Sequence, residues 1–394
     1  MNKLGTLALS LSTLLAACAT DGMDGMDGMN GTDGMNGTGG PQGPAGPQLA
    51  PPAVYTLSNS TAGNQVTAYR RAESGSISRD GAFDTAGAGT GAGLGSQGSL
   101  VFDASSGRFF AVNTGDGSIS MLGLASDGML ELLSQVPSGG TRPVSIAVHD
   151  GIVYVANQGD TAVTAVNANI SGFEVVGDDL VAIAGSTRPL SATTDVRPTD
   201  LTFSPDGKYL VLAERLAHKL DTFALDAAGV AQPGSFQTSA GMQPFAFDWS
   251  PEGFLVVAEV GNGTATGSSA SSYSISSTGV LTPVTSALAT HQGAACWIAM
   301  AGGHAYIANA ATANITGLNV STAGVLTLHD TSGITATTGA GAIDLAVTPD
   351  RGYLYSLASG THTINVFAIN SDGSLTAQPM FMDPPAAAAG LVAR

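Results

Sequence analysis

The sequence predicts an all-β fold, a seven-bladed β-propeller with four strands per blade and the ring closed by the C-terminal strand. Three observations carry this expectation. One unit recurs seven times over residues 53–394, it is built of short β-rich runs punctuated by glycine, and no helical 3.6-residue period persists through it. The recurring run ends at residues 59, 113, 157, 214, 259, 309 and 359, as in Val153-Tyr154-Val155-Ala156-Asn157 and Leu255-Val256-Val257-Ala258-Glu259. Spacings of 44 to 57 residues suit a four-stranded blade, which takes about 40–50.

Each strand of the unit has its own mark. A glycine expected in a hairpin turn follows the run at 75, 128, 172, 229, 279, 324 and 373, where a positive φ is required. Between the run and that glycine lies a third strand, such as Leu220-Asp221-Thr222-Phe223-Ala224-Leu225. An apolar stretch precedes most units, as in residues 144–148, 199–203, 245–249, 296–300 and 343–347, and supplies the innermost strand. The first unit, at Val54, has none upstream. The segment Ala388-Ala389-Gly390-Leu391-Val392-Ala393 aligns with Ala342-Ile343-Asp344-Leu345-Ala346-Val347 and is expected to fill that place, which covers the exposed edge of the first blade.

Residues 1–52 read as address and tether. Lys3 is followed by an apolar stretch from Leu4 to Leu15, too short to span a bilayer. It ends in Leu15-Ala16-Ala17-Cys18, which resembles the lipobox of bacterial lipoproteins and marks Cys18 for lipidation, with 1–18 as signal peptide. An ordinary secretory signal with a chance cysteine is the alternative. Ala19, where an inner-membrane retention signal would place Asp, favours the outer membrane by the same resemblance. Glycine then recurs every third residue from Gly22 to Gly46, so residues 19–52 form a collagen-like Gly-x-y segment. It reads as a flexible acidic tether, with a trimerising stalk as the alternative. The expected location is the cell envelope, reached by export and held by lipid.

Composition narrows the function. The 394-residue chain carries 13 Lys and Arg against 30 Asp and Glu, a net charge of −17, which repels nucleic-acid phosphates and excludes that class of partner. With Cys18 lipidated, Cys296 stands alone and no disulfide framework is expected. There is no Gly-x-Ser-x-Gly elbow, no His-Glu-x-x-His and no cysteine pair for zinc, so neither metal nor cofactor is expected. Gly93-Leu94-Gly95-Ser96-Gln97-Gly98 matches the dinucleotide pattern, but it opens a strand and not a helix.

The segments Ser138-Gly139-Gly140-Thr141-Arg142-Pro143-Val144, Leu201-Thr202-Phe203-Ser204-Pro205-Asp206-Gly207-Lys208-Tyr209-Leu210 and Ala342-Ile343-Asp344-Leu345-Ala346-Val347-Thr348-Pro349-Asp350 resemble the seven-bladed lactonase family. That family includes propeller 6-phosphogluconolactonases and relatives of carboxymuconate-lactonising enzymes. The resemblance covers about residues 53–394 and implies a lactone hydrolase or a lactonising enzyme. One departure matters. The phosphogluconolactonases carry a Pro-His-x-His-like segment where this chain reads Val196-Arg197-Pro198-Thr199. That absence, and the exported address, turn the expectation away from the pentose-phosphate reaction.

Inner-strand starts and next-strand ends share one mouth of a propeller. Aligning the repeats places Arg142, Arg197 and Gln243 at equivalent starts, and Asn113, Asn157, Glu214, Glu259 and Asn309 at equivalent ends. Asp200, Trp297 and Asp344 are equivalent to one another just inside the starts. Arg142 and Arg197 could clamp an anion, with Gln243, Trp297 and Asp344 completing a substrate site. Glu214 or Glu259 could act as general base, and His149 and His291 are further candidates. The same residues also read as structure: Arg197 and Glu214 as an ion pair tying strands, the asparagines as turn chemistry, Trp297 as a channel plug and Cys296 as a buried thiol. Two functions follow. One is a lactonase-like enzyme acting at the channel mouth on a small anionic molecule or lactone. The other is a non-catalytic propeller binding a ligand or partner protein at the cell surface. A monomer touching the membrane only through its lipid is expected in either case.

Overall fold

The computed structural model describes residues 50–162 and 166–394. Cys18, the signal peptide and all but the last residues of the tether lie outside the described residues. The described residues contain no helix and form seven antiparallel sheets, each blade of the propeller built on four strands. Blade 2 starts at Leu100, blade 3 at Pro143, blade 4 at Pro198, blade 5 at Pro244, blade 6 at Ala295 and blade 7 at Ala342. Blade 1 is composite: Ala389–Ala393 is its inner strand, followed outward by Ala53–Leu57, Gln65–Arg71 and Ile77–Asp84. The C-terminal strand therefore closes the ring as the sequence predicts, with Val54 opposite Ala393 and Thr56 opposite Leu391.

The second strand of each blade is buried on both faces, which is why it reads as an unbroken apolar run; Leu255–Glu259 is buried throughout. Outer strands alternate or lie exposed, as in Leu281–Ala289. The core sits between blades, where facing sheets interdigitate. Tyr154, Tyr306 and Tyr355, each fully buried in a second strand, donate their hydroxyls to the carbonyls of Gly229, Gly373 and Gly75 in the hairpin of the following blade, at 2.7, 2.8 and 2.6 Å. At Gly75 (φ +79°) a Cβ would fall 2.2 Å from the ring of Tyr353, so this hairpin requires glycine for conformation and for contact.

Three details differ from the sequence reading. Gly172 is not a hairpin residue. It lies inside the strand Asn169–Val176 and the turn is at Gly177 (φ +61°). Glycine is needed at 172 because the Tyr154 ring occupies the space of its Cβ, 2.6 Å away. The second strands of blades 1 and 7 end at Leu57 and Ala358, short of residues 59 and 359.

Inner strands do not pair with one another, so the N–H groups they turn sideways need other acceptors. Side chains supply most of them. Ser145 Oγ accepts from Leu201 N (3.1 Å), Asp200 Oδ2 from Phe247 N (3.0 Å) and Asp248 Oδ2 from Met300 N (2.8 Å), each bond reaching from one blade to the next. Asp344 accepts likewise from the backbone of Gly390 and Leu391, joining blade 7 to blade 1.

Deleting residues 386–394 should abolish the single cooperative melting transition, because it leaves one edge of the strand Ala53–Leu57 without a partner and removes the groups that Asp344 accepts from. A melting curve unchanged by the deletion would show that the ring does not need this closure.

Candidate functional site

Inner-strand starts and second-strand ends do share one mouth. Pro143 faces Asn157, Pro198 faces Glu214, Pro244 faces Glu259 and Ala295 faces Asn309. The residue before each start is left-handed: Arg142 (φ +56°), Arg197 (+54°), Gln243 (+56°) and Ala294 (+54°). Its carbonyl accepts from the residue just past the second strand, at 3.0 Å in all four blades. This repeated clasp sets Arg142, Arg197 and Gln243 side by side on blades 3, 4 and 5. Arg142 is exposed and its Nε donates to Gln158 Oε1 (3.3 Å); Gln243 Nε2 donates to Gly261 O (3.0 Å). Arg197 pairs with Asp195 and not with Glu214.

A third guanidinium joins them. Arg215, next to Glu214, is half-buried, and among the described residues its enclosed Nε has no partner and its guanidinium no ion pair. Burial, with Arg197 beside it, pulls its pKa down. It lies close enough to blade 6 to oppose the effect of burial on the Cys296 thiol, which is pushed up to about 12. Sequence reasoning passed over Arg215; the available signal was a basic residue where the other repeats carry Gln158, Val260, Ala310 and Ser359.

Glu214 and Glu259 do not face the mouth, which corrects their assignment as general bases. Both are fully buried. Glu214 accepts from the backbone (2.7 Å) and hydroxyl of Ser191. Burial, together with the nearby Glu214, raises Asp221 well above the usual carboxylate range, and among the described residues neither Asp221 oxygen has a hydrogen-bond partner. Glu259 accepts from Gly241 N (2.9 Å), Ser239 Oγ (3.3 Å) and Ser269 Oγ (2.5 Å). Glu259 acts as the asparagines do: Asn113 Nδ2 donates to Ser118 and Ser120, and Asn309 Nδ2 to Asn314 and Thr316. Asn113, Asn309 and Glu259 tie the second strand to the third, whereas Glu214 ties it to the loop entering blade 4. His149 is a second correction. It is the last residue of its inner strand, at the opposite end of the channel, stacked on Phe203 at 5.4 Å. His291 is exposed on the loop entering blade 6.

The channel is not open through the ring. The segment Gly93–Ser99, entering between blades 1 and 2, crosses it. Ser96 Oγ donates to Val144 O (2.8 Å), Gln97 N to Thr199 O (2.8 Å) and Gln97 Nε2 to Phe247 O (3.3 Å), while Gln97 Oε1 accepts from Ile298 N (3.0 Å). Trp297 Nε1 donates to Ser96 O (2.8 Å), and the indole packs edge-on against Phe245. The dinucleotide-like pattern is thus a plug touching blades 3 to 6. The unusual length of the glycine-rich link from Asp84 to Leu100 was the sequence signal for it.

The plug divides the channel. On the far side is a cavity of about 500 Å³ with mixed polar and apolar walls, lined by Asp200, Asp248 and His149 among others. On the mouth side, a cavity of about 240 Å³ is lined by Gly93–Ser96, Trp297, Ile343, Asp344 and Ser359. Asp344 borders both. It is left-handed (φ +48°), sits at a bulge, and burial pushes its pKa up to about 7 against the hydrogen bonds from Leu345, Leu391 and Gly390. The larger cavity holds Asp200 and Asp248, which join blades as Asp344 does, but no guanidinium or indole lines it. The mouth combines the unpartnered Arg215 Nε, an aromatic wall and a carboxyl that changes charge near neutrality, and it is the better candidate. Among the described residues no group of three His, Cys, Asp or Glu side chains is placed to hold a metal ion.

Comparison with known proteins agrees with the fold. Residues 180–300 match the family model described as lactonase, 7-bladed β-propeller. Similar solved structures include a candidate 6-phosphogluconolactonase from Bacteroides uniformis (21% identity, 86% of this chain and 99% of that one, TM-score 0.67) and the periplasmic gluconolactonase of Pseudomonas aeruginosa (18%, 85% and 98%, 0.67). A hypothetical selenium-binding protein from Sulfolobus tokodaii shares the ring at 10% identity (87% and 94%, 0.65). No curated protein sequence matches this chain.

The buried carboxyls make stability fall as pH rises. Burial raises Asp200, Asp248, Glu259 and Asp344 above their unfolded values. The folded chain thus binds more protons than the unfolded one, so this stabilisation is full below about pH 4. It declines as pH climbs, the Asp344 share being lost through about 7. Melting temperature should drop over that interval, and Asp344→Asn should flatten the part nearest neutrality. A melting temperature that rises with pH over the same interval would contradict the burial argument.

Proposed function

We propose that this propeller hydrolyses a small lactone at the mouth framed by Arg142, Arg197, Arg215 and Gln243. The observation that carries the reading is Asp344, a carboxyl with its pKa raised to about 7, in one cavity with Trp297 on the same mouth as Arg142, Arg197 and Arg215. The match of residues 180–300 to the lactonase model and the fold shared with the gluconolactonase support the reaction class.

In this mechanism ionised Asp344 takes a proton from water as the water oxygen bonds to the lactone carbonyl carbon. The guanidiniums favour the negative charge that builds on the carbonyl oxygen. The ring C–O bond then breaks, the leaving oxygen takes the proton back from Asp344, and the new carboxyl group releases its remaining proton to solvent, which leaves a hydroxy carboxylate. The arginines suit that anionic product and any carboxylate on the substrate, and Trp297 provides a flat apolar wall. A second reading, ligand binding without turnover, is favoured by the backbone N–H groups that already occupy Asp344. The envelope address also belongs to the proposal and rests on Leu15-Ala16-Ala17-Cys18.

Hydrolysis of a panel of sugar lactones and muconolactones should follow a rising pH profile with its inflection near that of Asp344. Asp344→Asn should cut kcat by at least 100-fold, a typical share for a general base, while Glu214→Gln should retain turnover. Absence of turnover on every lactone would leave the binding reading. A second measurement tests the address: Cys18→Ser should abolish incorporation of a fatty-acid label, and undiminished labelling would remove the lipid anchor from the proposal.

A further inference from the structure

We infer that the anion held at this mouth carries a short aliphatic chain, seated in a groove that runs from Gln243 outward over blade 5. The inference takes from the lactone reading only the location of the anion. Gln243 Nε2 donates to Gly261 O, and Gly261 N donates to Met242 O, both at 3.0 Å, so the amide at the mouth and the wall of the groove are one structure. Beyond it lies a cavity of about 290 Å³ whose lining includes Ala240, Met242, Ala287 and Ala289. Its serines are turned inward, while Asn262 and Thr266 are exposed. Ser268 Oγ donates to Val260 O (2.8 Å), Ser269 Oγ donates to Glu259, and Gly241 N, in the floor, also binds Glu259. What remains for a ligand is a run of methyl groups and glycine backbone beside the side chains of Asn262 and Thr266, with no lysine, arginine or carboxylate in the lining.

Two large apolar side chains mark the entrance. Met242 is 51% exposed beside Gln243, and Leu216 is 42% exposed beside Arg215. Their loops belong to adjacent blades and are joined where Gln243 N donates to His218 Nδ1 at 2.9 Å. An exposed leucine alone would mean nothing. Here Leu216 follows Arg215, Met242 precedes Gln243 and opens into a groove, and the two loops are bonded to each other, which fits a ligand with an anionic head and an alkyl tail. Methionine suits this entrance because its flexible thioether adapts to chains of different length. The groove holds roughly nine water volumes, which limits the tail to about eight carbons. The ligand class is a short-chain aliphatic carboxylate, such as the opened form of an alkyl lactone.

The test is calorimetric titration of the full chain with saturated carboxylates from acetate to decanoate. Affinity should rise about fourfold per methylene and level off near eight carbons. Ala289→Phe, an exposed position that fills the groove, should flatten the series while leaving acetate binding unchanged. Met242→Gln should reduce the slope, which provides a second variant if the first fails to fold. Arg215→Ala should weaken every member equally. Affinity independent of chain length in the parent protein, or an undiminished slope in both groove variants, would overturn the inference. Carboxylate binding with this slope but no lactone turnover would remove the hydrolysis and keep the groove; turnover with a flat series would do the reverse.

Discussion

The ring depends on how seven inner strands, none paired with another, satisfy the N–H groups they turn toward their neighbours. A buried N–H left without an acceptor costs about as much as a lost hydrogen bond, roughly 1–3 kcal/mol, and the deficit would repeat around the ring. The chain answers with Ser145, Asp200, Asp248 and Asp344, and with Gly98 O and the Gln97 amide where the plug intervenes. The solution places carboxyl groups in an enclosed space where ionisation is opposed. Perturbed titration is therefore a by-product of holding blades together, and at Asp344 the same by-product lies next to a cavity open to ligand.

The mouth carries a different kind of cost. A left-handed backbone is unfavourable for residues with a Cβ, and blade 7 shows the easy solution with Gly341 at φ +67°. Blades 3, 4 and 5 use Arg142, Arg197 and Gln243 at the same position, and strain of this kind persists where the surroundings enforce it. Placing side chains there directs long polar groups at the rim in three successive blades. It also explains why the rim is basic in a chain whose net charge is −17.

Much of this was legible in the sequence, for definable reasons. Blade number, strand order and ring closure came from a pattern written seven times, in which an error at one copy, such as Gly172, is outvoted by the rest. Alignment of the repeats also placed Arg142, Arg197, Gln243, Trp297 and Asp344 on one mouth. It could not tell which way a strand-end side chain turns. Glu214 and Glu259 share their register with Asn113 and Asn309, and register alone did not reveal that all four point into a hydrogen-bonded clasp. The plug and Arg215 escaped because neither belongs to the repeat. Features that occur once give a repeat alignment nothing to compare, and here those features shape the site.

Ring closure also shapes how the molecule reaches its folded state. Arg394 holds the carbonyl of Pro51 across 343 residues of chain, and the strand beside it pairs with residues equally remote. Blades 2 to 7 can each assemble from neighbouring sequence, but blade 1 must wait for the two ends to meet. Loop-closure entropy on that scale delays the final step and leaves an exposed strand edge while it is pending. A partly assembled ring would present that edge to other chains, so the folding of this protein should be most sensitive to concentration just before its last contact forms.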